Sequence, residues 1–158
     1  MSVPTSPKAI LNGISALISA IAPPSYTVDL TASGTVRRLR FAGETTKEPF
    51  PAISLFIEST TDSLSAEGAD HSSFSMETVI GGMVAVKNQG SDEATEDLVL
   101  DVLHDIRKAL HTDRGSSFGA LDLTMTDDGC MAGYEMDNMS IGTGAFVITV
   151  KWTMFPAG

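Results

Sequence analysis

Residues 91–113 constrain this chain more than any other stretch, because they spell out one amphipathic helix from cap to stop. Ser91 stands where an N-cap hydroxyl accepts a first-turn N–H, and Asp92 and Glu93 follow in the first turn. Arg107, Lys108 and His111 sit near the end, so acids and bases both match the helix dipole. Leu98, Val102, Leu103, Ile106 and Leu110 form one apolar stripe, and Gly115 supplies a stop signal. A stripe on one side only must be covered by another layer, so the rest of the chain has to provide an apolar surface.

Alternating strands provide it. Phe74, Met76, Thr78, Ile80, Val84 and Val86 line one face of a long strand, with Gly81-Gly82 read as a bend or bulge midway. Lys87-Asn88-Gln89-Gly90 is the turn into the helix. In 144–155, Phe146, Ile148, Val150, Trp152 and Met154 alternate with Ala145, Val147, Thr149, Lys151 and Thr153. Shorter strands are expected over 120–126 and 132–136. Upstream, Phe50-Pro51-Ala52 opens a strand on which Ile53, Leu55 and Ile57 share a face. Residues 26–31 and 36–41 flank Ala32-Ser33-Gly34 as a short hairpin, with Gly34 at positive φ. The polar stretch 59–72 has no periodicity and reads as a flexible surface loop.

An N-terminal helix completes the set. Ile10, Leu11, Ile14, Leu17, Ile18 and Ile21 are spaced for one face, Ser6 and Pro7 suit its start, and Pro23-Pro24 ends it. The predicted order is α-β-β-β-β-α-β-β-β. That is an α+β class: a mostly antiparallel sheet with two main helices packed on it, in a single compact domain of 158 residues.

Composition narrows function by exclusion. Acids outnumber bases 20 to 10, giving a net charge of −10, which disfavours nucleic acid as a main ligand and an acidic membrane surface as a partner. Cys130 is the one cysteine, so neither an intramolecular disulfide nor a cysteine zinc site can form. The first seven residues lack a basic run, and the apolar stretch Ile10–Ile21 is broken by Asn12, Gly13, Ser15 and Ser19 and is too short for a bilayer. Neither a signal peptide nor a membrane span is expected, and the chain reads as cytoplasmic.

Catalytic motifs fare poorly. Gly115-Ser116-Ser117-Phe118-Gly119 matches a G-x-S-x-G elbow formally, but it follows a helix and precedes a strand, the reverse of what the elbow needs. His104 shares helical spacing with Asp97, Asp101 and Asp105, which could present metal ligands from successive turns; a solvated or intersubunit acidic face is the plainer reading. Asp127-Asp128, with Glu135 and Asp137 nearby, lacks the pattern of a calcium loop and reads as a turn between strands; weak divalent binding at a subunit boundary is the alternative. Cys130 has no base indicated beside it, and Asn138-Met139-Ser140 has no secretory context for glycosylation. Arg37, Arg38 and Arg40 put three of the ten cations on one proposed strand. They suit an acidic neighbour, which self-association through Asp97, Asp101 and Asp105 would supply, or else they guard a solvated edge. No metal or cofactor is expected.

From Phe50 onward the chain resembles the tail terminator family of long-tailed bacteriophages, of the lambda type. The resemblance rests on Phe50-Pro51-Ala52 opening an alternating strand, a polar loop, a long strand and an acidic amphipathic helix. Gly133-Tyr134-Glu135, a polar turn and the final strand Phe146-Val147-Ile148-Thr149-Val150-Lys151-Trp152 complete it, with the N-terminal helix matching by position. The segment 25–49 is longer than in the lambda type. The resemblance implies a homohexameric ring at the tail–neck junction of the virion. Such a ring caps the tail tube, ends its polymerisation and meets the head–neck complex, while DNA passes through an acidic lumen without specific binding. Another neck or tail-completion ring protein is the nearest alternative. A hydrolase using Ser117 or Cys130 and a small-ligand binding module are the alternatives of other classes.

Overall fold

The computed structural model describes residues 5–38, 50–64, 73–136 and 139–155, with 63, 64, 128–136, 139 and 140 as backbone only. The first helix, α1 (Pro7–Ser19), starts as its sequence predicts: Ser6 Oγ accepts the Ala9 N–H at 3.1 Å, and Pro7 occupies the first turn, where no N–H is required. Ile10, Leu11, Ile14 and Ile18 are its buried residues. The second helix, α2 (Asp92–Asp113), is capped by Ser91, whose Oγ accepts the Ala94 N–H at 3.1 Å. It stops at Arg114, which takes the left-handed conformation at φ 57 while its N–H donates to the Leu110 carbonyl at 2.8 Å. Gly115, at φ 80, follows.

Among the described residues the sheet has five strands: β1 (Val36–Arg38), β2 (Ala52–Leu64), β3 (Phe74–Lys87), β4 (Asp122–Met136) and β5 (Met139–Met154). Their order is β1-β2-β3-β5-β4, with β1 parallel to β2 and every other pairing antiparallel. Two hairpins, β2–β3 and β4–β5, are thus joined along β3 and β5. Both helices lie on one face: α1 packs on β1 and β2, α2 packs on β3, β5 and β4, and the helices touch each other. The core between the layers joins the α1 and α2 stripes to Ile53, Leu55, Ile80, Val84, Val86, Phe146, Ile148, Val150 and Trp152. This is the expected α+β domain, two helices on a mostly antiparallel sheet.

Several local expectations are corrected. Residues 26–31 form no strand, and β1 pairs in parallel with β2, so the 26–41 hairpin does not exist; residues 39–41 lie outside the described residues. The reason is where the backbone donors go. The Thr27 and Val28 N–H groups donate to Asp105 Oδ2 at 2.8 and 2.9 Å, and the Leu30 N–H to the Ile21 carbonyl at 2.9 Å. Gly34 does take positive φ, at 83.

The loop expected over 59–72 is shorter, because Ser59 to Leu64 continue β2 and pair with 74–79. Their Ser and Thr side chains look loop-like in composition, yet Thr60 Oγ1 meets Thr78 Oγ1 across the ladder at 3.2 Å. Residues 65–72 lie outside the described set. The strands expected over 120–126 and 132–136 are one strand, β4, with register shifts between Asp127 and Cys130 and between Met131 and Tyr134. The observed order is therefore α-β-β-β-α-β-β. Gly81-Gly82 carries no bulge in β3, whose register with β5 is continuous; the shift lies in β2, between Ile57 and Ser59. A Cβ on Gly82 would collide with the Phe146 ring, and one on Gly81 with the Phe56 ring, so the two glycines seat aromatic rings on adjacent strands.

Candidate functional site

The arginine cluster falls at one edge of the sheet. Arg37 is half-buried and its Nε donates to the Gly34 carbonyl at 2.9 Å, bracing the turn before β1. Arg38 is exposed, and its guanidinium donates to Asn12 Oδ1 at 2.6 Å, tying β1 to α1. Arg40 lies outside the described residues.

The acidic set on α2 splits. Asp97 and Asp101 are exposed, with Asp92, Glu93 and Glu96 beside them. Asp105 is 2% exposed and faces inward, where it accepts the Thr27 and Val28 N–H groups. It is thus a correction to the interface expectation: two oriented backbone donors hold the buried carboxylate, and it pins the 27–28 segment to α2. Leu98, Val102, Asp105 and Ala109 lie at spacings of four, three and four, so the sequence did carry the signal that Asp105 belongs to the buried side.

The same inward turn takes Asp105 away from exposed His104, Asp97 and Asp101. Among the described residues, no three His, Cys, Asp or Glu side chains converge as a metal site would require. Asp127 lies in β4 rather than in a turn, and Arg107 on α2 forms an ion pair with it. The side chains of Asp128, Cys130 and Glu135 and all of Asp137 and Asn138 lie outside the description.

Ser117 sits in a single 3-10 turn, Ser116–Phe118, between α2 and β4. Its Oγ donates to Asp113 Oδ2 at 3.0 Å, and Ser116 Oγ donates to the Asp113 carbonyl at 2.9 Å. Gly115 and Gly119, at φ 80 and 81, flank the turn. The chain runs from helix to strand here, so the hydroxyl is not raised above a sheet as in a nucleophile elbow.

Sequence reading missed one feature, a cleft of about 460 Å³ at the end of the sheet where β4 begins. Thr61, Glu77, Lys151 and Asp122 form one cross-strand row along it, placing Lys151 between two acids on neighbouring strands. Met76, Leu121 and Trp152 also line it. Leu121 is 71% exposed, while the Trp152 Nε1–H is satisfied by Thr78 Oγ1 at 3.0 Å.

Comparison with protein-family models and with curated proteins gives no match. Function is therefore to be sought in what these surfaces can do. Charge dominates them: five exposed carboxylates on the first half of α2, and Arg37 and Arg38 at the β1 edge. Lys108 is engaged within the chain, donating to the Ser25 carbonyl at 2.6 Å with its ammonium 5.1 Å from the Tyr26 ring centre. Among the described residues no helix is long and apolar enough to cross a membrane.

Proposed function

We propose that this chain is a structural subunit of a long-tailed phage, the tail terminator. It forms a homohexameric ring that caps the tail tube, ends its polymerisation and joins the tail to the head–neck complex. The observation that carries the reading is the order of elements around the quoted patches. After α1 and the short β1 comes a long hairpin whose first strand is opened by Phe50-Pro51-Ala52, then an acidic helix, and a second hairpin whose last strand contains Phe146–Trp152.

The work of such a subunit is binding. Modest contacts repeated around a closed ring add up to a firm assembly, because each later contact is intramolecular. A lumen lined by carboxylates would let DNA slide past without adhering, and a chain with 20 acids has them to spare. The chain's place is then in the virion, at the tail–neck junction, after assembly in the host cytoplasm. The same features suit another neck or tail-completion ring protein, and position in the particle separates the two.

The test is co-assembly with the tail tube protein of the same phage. Tubes grown with the chain present should stop short, with a ring visible at one end only. Tubes of unchanged length with bare ends would reject the terminator reading, and rings found elsewhere on the particle would favour the tail-completion alternative.

A further inference from the structure

We infer that copies of this chain join head to tail, the β1 edge of one copy against the first half of α2 on the next. The inference rests on the ring reading above and adds which surfaces meet.

It starts from charges that the helix itself does not explain. Asp92 and Glu93 lie in the first turn of α2, where they satisfy the helix dipole. That effect fades beyond the first turn, yet Glu96, Asp97 and Asp101 continue the acidic face and are all exposed. Asp97 and Asp101 stand four residues apart, a spacing at which like charges destabilise a helix. No ion pair among the described residues relieves any of the five. Among these acids lies Leu100, 42% exposed, a large apolar side chain within a charged rim. An apolar contact ringed by polar groups is how a binding surface excludes water from its centre.

The complementary surface is on the same chain. Arg38 is exposed at the β1 edge, and its one hydrogen-bond partner among the described residues is the neutral Asn12 amide. Its stem can cover Leu100 while its guanidinium reaches the carboxylates. Placement makes the match intermolecular. β1 is one edge of the sheet, under α1, whereas α2 packs over β3, β5 and β4 on the other side.

A two-fold contact through α2 itself would set the acidic face against its own copy. A head-to-tail contact sets acid against base every time, and repetition closes a ring. Between subunits that each carry −10, such a local match also offsets the general repulsion.

The experiment uses the full chain and reads native mass against concentration at low and moderate salt. Arg38→Glu and Asp97→Arg should each raise the concentration for half-assembly about tenfold or more, with secondary structure unchanged. An equimolar mixture of the two variants should assemble again, to within about threefold of the unaltered chain, because their faces alternate in register around an even ring. Added salt should weaken the unaltered chain. Rings that form equally well with both substitutions would overturn the inference while leaving the ring reading intact. An unaltered chain that stays monomeric throughout would remove both.

Discussion

Asp105 is the residue whose role differs most from its first reading. It lies 77 and 78 positions from the two N–H groups it accepts, and it replaces the strand partner that 26–31 was expected to have. Asp105→Ala would leave one buried and one part-buried donor unpaired, and should cost about 1–3 kcal/mol in urea denaturation. Asp105→Asn, which keeps an acceptor oxygen, should cost less than half as much. Gly82→Ala should destabilise by about 1–3 kcal/mol in the same assay, since the new methyl meets the Phe146 ring in a packed core.

Asp29 offers a smaller, cleaner test. The Thr31 hydroxyl, donating at 2.5 Å, and then the Thr31 N–H, at 2.9 Å, hold its carboxyl below the ordinary 3.8. A depressed folded-state pKa stabilises the fold above the unfolded value, and the contribution is lost as pH falls through the folded one. In an NMR titration, Thr31→Ala should move the Asp29 midpoint upward; an unmoved midpoint would contradict that cause.

The two helices and the strands β3 and β5 were legible because each carries its own complete signal: period, cap and stop. Ser91→Ala should cost about 1 kcal/mol, as loss of an N-cap does elsewhere. Arg114→Gly should add up to about 1 kcal/mol, because a left-handed residue at a helix end favours glycine. Thermal melts of both variants check the two signs together. What sequence did not show is what depends on a distant partner. The polar 59–64 segment becomes strand only because 74–79 pairs with it, and β1 takes its direction from β2. The two pieces expected for β4 are one because β5 pairs along its whole length across the register shifts. For the candidate interface, composition and spacing pointed to Arg37, Arg38, Arg40, Asp97, Asp101 and Asp105, of which Arg40 lies outside the described residues. Asp105 falls instead in the buried arc with Leu98, Val102 and Ala109, a spacing that outweighs its kinship in charge with Asp97 and Asp101.

For the molecule as a whole, the fold sets the exposed acids of α2 and the exposed Arg38 on different flanks of the sheet and keeps its core between two layers. On the proposed reading, such a subunit meets copies of itself through these flanks. The most direct measurement is the native mass of the purified chain over a concentration series, with negative-stain images of any large species. The account predicts rings, six-membered in mass, that appear with concentration and recede with salt. A strict monomer at every concentration and salt would contradict it.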